Sequence, residues 1–221
     1  MRIIAGKYRS RILKSVKSLA LRPTSDRLRE TLFNVLGPAV AGSRFLDVFA
    51  GTGAVGIEAL SRGAAEAIFI ETHAPAAKLI RQNLDSLKIN TNYTILAADA
   101  LAALQKLAAR HTPSALGEAA RGSTPRAGGT ISAIVGNTTP GIDFVFVDPP
   151  YANHADYARI LEFLSSASAN FLAPNALVIF EHHHKFSLPE SSGHLNRTRL
   201  LKQGDAALSF FRNNASGERF G

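Results

Sequence analysis

The chain has 221 residues, 46% apolar and 19% charged, which suits one sizeable globular core and excludes a disordered polymer. It holds no cysteine, so disulfides, thiolate catalysis and cysteine-type zinc or iron–sulfur sites are excluded. A net charge of +8 suits a polyanionic partner; no apolar run approaches the ~18 residues of a membrane span and Met1-Arg2-Ile3-Ile4 lacks a signal-peptide pattern, so a cytoplasmic protein is expected.

The basic charge comes first. Arg2, Lys7, Arg9, Arg11, Lys14 and Lys17 all precede the first acidic residue, Asp26. Ile3 to Leu13 reads as a short hairpin turning near Gly6-Lys7. Its basic side chains could track phosphates while Tyr8 stacks on a base, or they could simply protect a solvated edge strand. Thr24 or Ser25 then caps a helix whose apolar stripe is Leu28, Leu32, Phe33, Val35 and Leu36, and Gly37-Pro38 ends it. Arg22, Arg27 and Arg29 either grip phosphate or pair with Asp26 and Glu30. Residues 1–37 are thus a basic front end to a domain over 38–213, with 214–221 a frayed tail.

Arg44 to Phe49 is a strand, and Ala50-Gly51-Thr52-Gly53-Ala54-Val55-Gly56 leads from it into a helix ending near Arg62. Gly51-x-Gly53-x-x-Gly56, with Glu71 ending the next strand about 20 residues on, matches the dinucleotide fingerprint. The string alone does not separate NAD from S-adenosylmethionine. Asp47 tips the balance: a carboxylate ahead of the glycines suits a cationic amino group and repels a pyrophosphate, while Glu71 suits ribose hydroxyls in either case. A helix opened by Pro75 carries Ala76, Leu79, Ile80, Asn83, Leu84 and Leu87 on a helical period. Tyr93 to Leu96 is a third strand, closed by Ala98-Asp99-Ala100; Asp99 accepts an adenine amino hydrogen, caps the helix of Leu101, Leu104 and Leu107, or does both.

Residues 110–141 are rich in small and turn-forming side chains and read as a flexible surface insertion, with Arg110, Arg121 and Arg126 as possible RNA contacts. The sheet resumes with Ile142 to Val147, which ends abruptly at Asp148-Pro149-Pro150-Tyr151. That turn presents a carboxylate, a carbonyl freed from sheet pairing and an aromatic ring at a strand's carboxyl end. Carboxylate and carbonyl together can accept from a planar NH2 group while the ring stacks on the heterocycle bearing it. Tyr157, Ile160, Leu161 and Leu164 mark a further helix and Ala176 to Phe180 a further strand. His182, His183 and His184 should point to alternating faces, against a shared metal site. Leu195 to Lys202 and Ala206 to Arg212 form a terminal hairpin turning at Gly204-Asp205.

Asp47-x-Phe49-x-Gly51-x-Gly53, Glu71, Asp99 and Asp148-Pro149-Pro150-Tyr151 resemble the ordered motifs of class I methyltransferases that act on exocyclic amines. Arg22-Pro23-Thr24-x-Asp26-Arg27-x-Arg29-Glu30-Thr31-Leu32-Phe33-Asn34, after Arg2-Ile3-Ile4-x-Gly6, narrows the likeness to the RsmD family, the bacterial 16S rRNA (guanine(966)-N2)-methyltransferases. The resemblance covers residues 1–108 and 142–212 and departs from the family at His73, where an acidic residue is common. It implies an α/β Rossmann-like fold with a seven-stranded sheet and a terminal antiparallel hairpin. It also implies S-adenosylmethionine held by Asp47, Phe49, Gly51, Gly53, Glu71, Asp99 and Ala100, and catalysis by Asp148, Pro149, Pro150 and Tyr151. A monomer is expected, binding 16S rRNA of the small subunit or its assembly intermediate through Arg2, Lys7, Tyr8, Arg9, Arg11, Arg22, Arg27 and Arg29, with no metal and no membrane. Rival readings are a DNA adenine-N6 methyltransferase, an NAD-dependent dehydrogenase and a non-catalytic RNA-binding module.

Overall fold

A computed structural model describes residues 1–15, 24–111 and 141–214; Lys17, Arg22, Arg121 and Arg126 lie outside the described residues. Helix α1 (Asp26–Leu36) starts at Ser25, whose side chain accepts from the Leu28 N–H, and stops at Gly37. Five parallel strands follow with their crossovers: β1 (Arg44–Val48), α2 (Ala54–Ser61), β2 (Glu66–Ile70), α3 (Ala74–Ser86), β3 (Tyr93–Leu96), α4 (Ala100–His111), β4 (Ile142–Val147), α5 (His154–Leu164) and β5 (Leu172–His183). The chain closes with β6 (Ser191–Ser192), β7 (Leu195–Gln203) and β8 (Ala206–Asn213). The strand order is β3-β2-β1-β4-β5-β8-β7-β6, parallel up to β5 and antiparallel beyond it.

The described sheet therefore has eight strands where seven were expected. The extra one, β6, is a two-residue edge pairing, too short to leave a periodic pattern in sequence. Strand β5 also begins before Ala176, because its pairing with β4 shifts register between Ile142 and Phe144 and Asn175 takes a positive φ of 65°.

Strand residues divide alternately between the two faces. Leu46, Val48, Val145 and Val147 pack with α4 and α5, whereas Phe45, Phe144 and Phe146 pack with α1 and α2. Strand order reverses between β1 and β4, and Val48 pairs with Val147 there. The crevice beyond the carboxyl ends of such strands is where open α/β sheets place ligands.

The first residues fold back onto this frame. Arg2 and Ile12 form an antiparallel bridge, and Ile3 and Leu13 are buried beside α2, β2 and α3. Gly6, at φ 82°, is pressed so closely on α2 that a Cβ would lie 1.9 Å from the Ser61 carbonyl oxygen. The Lys7 N–H donates to that carbonyl at 2.7 Å, and the buried Glu58 carboxylate accepts from Ile4 and Ala5 N–H at 2.8 and 3.0 Å. Arg29 joins this clamp. Its side chain is fully buried, reaching Asp26 at 3.0 Å, Glu58 at 3.8 Å and the Arg2 carbonyl. Arg29 is therefore corrected from an RNA contact to an internal tie: burying an arginine requires charged partners, and α1 and α2 supply them. Asn83 lies on the buried period of α3, as expected, and its amide donates to both the Thr52 and Lys14 backbone carbonyls.

Candidate active site

The carboxyl end of β1 supplies the first wall. Phe49 adopts φ 64°, a left-handed conformation that a bulky side chain takes only under constraint, and turns the chain into the glycine loop. Gly56 sits where a Cβ would come within 2.3 Å of the Phe69 ring, so α2 lies flush on β2. Its N–H donates to the Asp47 carboxylate at 2.9 Å. Asp47 is only 2% exposed, and burial pushes its carboxyl up to about 8, helped by neighbouring Glu71 and opposed by the Gly56 N–H. Glu71, at the end of β2, accepts from the Gly51 N–H and the His73 N–H, each at 2.8 Å. Loop and acid are thereby fixed to each other.

The facing wall is the turn after β4. The Asp148 N–H still donates to Val48 at 3.3 Å, which holds the turn beside the end of β1. Asp47, Gly51 and Glu71 on one side and Asp148, Pro149 and Tyr151 on the other share one cavity of about 480 Å³. Phe49 and Pro150 also line it. Its described lining contains three carboxylates and no lysine or arginine. A pyrophosphate would meet net repulsion there, while an ammonium or a sulfonium would be welcomed. The donor set thus fits S-adenosylmethionine better than a dinucleotide.

Three side chains that sequence reasoning did not place at the site support the turn. The buried Tyr157 hydroxyl lies 3.3 Å from the Pro149 carbonyl and 3.1 Å from the Glu181 carbonyl. Burial first, then the charges of Asp148, Tyr151 and Glu181, keep that phenol protonated far above its ordinary value. The Glu181 carboxylate accepts from Tyr151 at 3.2 Å and from Thr24 at 2.7 Å, and Thr24 also lies 3.4 Å from Asp148. The available signal was positional: Glu181 directly follows Phe180, which pairs with Val147 at the carboxyl end of β4.

Other expected residues fall elsewhere. Gly53 caps α2 in a left-handed conformation, between Thr52 and Ala54, both of which line the cavity. Asp99 accepts from the Ala102 N–H at 3.2 Å and pairs with Arg159 at 2.8 Å, taking the helix-capping role. Slight burial pushes its carboxyl up, but that N–H and guanidinium outweigh it and leave it below the usual value. Ala100 is buried in the core, and neither residue lines the cavity. His182 is buried with Nε2 2.8 Å from Ser209 Oγ, and burial holds its pKa below the ordinary value. His183 and His184 do not alternate: the strand ends between them and their rings stack with centroids 4.6 Å apart. With Asp205 they bring one ligand atom each within 4.8 Å of one another, close enough to share a metal ion.

The front end offers a second, smaller cleft of about 300 Å³, where Arg2, Arg9 and Arg27 meet Asp26 and Glu30. Lys7 and Arg11 are exposed outside it. Tyr8 is half-buried against the core with Lys7 Nζ 5.4 Å from its ring centre, so its ring is partly committed to packing.

The reversed strand order, the glycine turn on an acidic β1 and the antiparallel end of the sheet define a class I methyltransferase fold. The family described as Conserved hypothetical protein 95 matches residues 1–115 and 129–212. Ribosomal RNA small subunit methyltransferase D of Escherichia coli (strain K12) is 32% identical over 219 residues, covering 99% of this chain and 92% of that protein. The Haemophilus influenzae protein of the same name is 35% identical over 183 residues, covering 82% of this chain and 78% of its own length. A solved Escherichia coli chain, provisionally named the methyltransferase yhhF, superposes with a TM-score of 0.73 at 30% identity, over 97% of this chain and 98% of that one. The chain belongs to this family, the RsmD methyltransferases.

Proposed function

We propose that the protein transfers a methyl group from S-adenosylmethionine to the exocyclic N2 of a guanine in 16S rRNA, within the small ribosomal subunit or its assembly intermediate. The observation that carries this reading is the single cavity shared by the acidic glycine-loop wall and the Asp148-Pro149-Pro150-Tyr151 turn. The names of the relatives favour ribosomal RNA of the small subunit as substrate.

S-adenosylmethionine supplies an electrophilic methyl group on a positively charged sulfur. Asp47 would face its amino group, Glu71 its ribose hydroxyls, and Phe49 and Gly51 the path between them. A stacked guanine must leave its stack to enter such a pocket. Asp148 and the Pro149 carbonyl then accept from its NH2 group, and Tyr151 stacks on the ring. These contacts aim the nitrogen lone pair, and orientation of this kind is worth roughly 7–11 kcal/mol. The nitrogen becomes acidic only as its new carbon bond forms. Asp148 or water then takes the proton, so no strong base is needed beforehand.

The direct test is methyl transfer from labelled cofactor to small subunits lacking the modification, followed by nucleoside analysis. N2-methylguanosine in 16S rRNA is the expected product. Label in DNA adenine instead would overturn the substrate, and binding of cofactor without transfer to any RNA would favour a binding module.

The front end is expected to add affinity rather than chemistry. Replacing exposed Arg9 and Arg27 together by alanine should weaken RNA binding for all sequences alike and flatten its salt dependence by about one unit of slope for each phosphate no longer neutralised. Cofactor affinity should not change. An unaltered salt slope would remove these arginines from the RNA interface.

A further inference from the structure

Glu181 is the one acidic residue of β5 and is only 4% exposed. A buried carboxylate is costly unless its oxygens are satisfied, so its partners indicate what it organises. Oε1 accepts from the Tyr151 hydroxyl at 3.2 Å, and Oε2 accepts from the Thr24 hydroxyl at 2.7 Å. Thr24 has one proton, and it lies nearer Glu181 than Asp148, which is 3.4 Å away. The Glu181 carbonyl shares the Tyr157 hydroxyl with the Pro149 carbonyl, at 3.1 and 3.3 Å. One residue on β5 therefore touches, directly or through one hydroxyl, the carboxylate, the carbonyl and the ring of the turn after β4.

Thr24 adds a second consequence. It directly precedes the cap of α1, the helix that carries Arg27 on its exposed side. Glu181 thus joins the basic front end to the methyl-accepting edge of the cavity by a single side chain.

We propose that Glu181 is a positioning residue for the target base: its carboxylate sets the plane of the Tyr151 ring and the place of Thr24 beside Asp148. The inference rests on the proposed methyl transfer to an RNA base. Glu181 stands behind Thr24 and Tyr151, which line the cavity, and acts through the hydroxyls it receives. Tyrosine at 151 is required for more than its ring, because phenylalanine would stack equally well but lose the hydrogen bond that orients it.

The test is single-turnover methyl transfer to the RNA substrate at saturating cofactor for Glu181→Gln, Tyr151→Phe and the double variant. Cofactor affinity and thermal midpoint are measured alongside. Each single variant should lower the rate by roughly 10- to 100-fold, as expected when a reactant is misplaced by a fraction of its approach distance. Cofactor affinity should stay within about threefold, and the double variant should be no slower than the slower single one. Thr24→Ser should keep the rate and Thr24→Val should lose it, since only the former retains the hydroxyl. Multiplicative losses in the double variant, or a lowered thermal midpoint with an unchanged rate, would overturn the positioning role. Because Tyr151 is only partly buried, Tyr151→Phe keeps the question answerable if Glu181→Gln does not fold. Absence of transfer by the unsubstituted protein would defeat the functional reading itself, a result distinct from either of these.

Discussion

Asp148→Ala should reduce methyl transfer by at least roughly 10²–10³-fold, the usual loss when one preorganised hydrogen-bond partner of a reacting group is removed. Asp148 stands at the end of β4 and its backbone N–H donates to the Val48 carbonyl, so the substitution leaves the turn in place. What disappears is an acceptor for one amino hydrogen and the negative charge beside a nitrogen that turns cationic as it gains carbon. Cofactor affinity should remain close to that of the unsubstituted protein, because Asp47 and Glu71 on the opposite wall are untouched. Single-turnover rates and equilibrium titration separate the two effects. A variant that retains turnover would place the acceptor elsewhere and would revive the RNA-binding module as the simplest account.

Asp47→Asn should act in the opposite sense on stability and on binding. The folded, ligand-free protein holds the Asp47 carboxyl near about 8, against an ordinary value of 3.8. A group whose folded pKa is raised contributes stability that is whole below its unfolded value and is lost as pH rises through the folded one. Native stability is therefore eroded between about pH 4 and pH 8, by an amount on the order of a few kcal/mol. Asparagine has no charge to bury and keeps an oxygen for the Gly56 N–H. The variant should melt higher than the unsubstituted protein at pH 8 and similarly below pH 4. Cofactor binding should fall steeply, since the ammonium loses its counter-charge. In the unsubstituted protein affinity should climb by up to about tenfold per pH unit below 8, as the carboxyl sheds its proton to receive that ammonium. Affinity that is flat with pH, or an asparagine variant that binds normally, would dissociate Asp47 from the amino group.

The parallel half of the fold was legible because its strands are apolar on both faces and end at turn chemistry that permits few alternatives. Asp47, Glu71 and Asp148 could be placed at one edge from strand direction alone. What stayed hidden was side-chain bonding across long separations. Glu181 merely follows the expected strand Ala176 to Phe180, Tyr157 reads as one more apolar position of α5, and Thr24 as a helix cap. Each gains its meaning from a partner far away in sequence. Arg29 misled for a related reason: a basic residue in a basic run gives no local sign of the buried Glu58 that claims it. Asp99 was ambiguous, and its capping geometry with the Ala102 N–H and Arg159 is one of the two roles the sequence offered.

Helix α2 carries the Asp47-bonded glycine turn at its first residues and the front-end clamp, Glu58 and Ser61, at its last. Its eight residues make a strut about 12 Å long. Adding or removing one residue there would swing one end by about 100° relative to the other. The family match runs unbroken through this helix. The spacing of α2 therefore works as a gauge between the glycine turn and the front end, set by the helix's length rather than by its side chains.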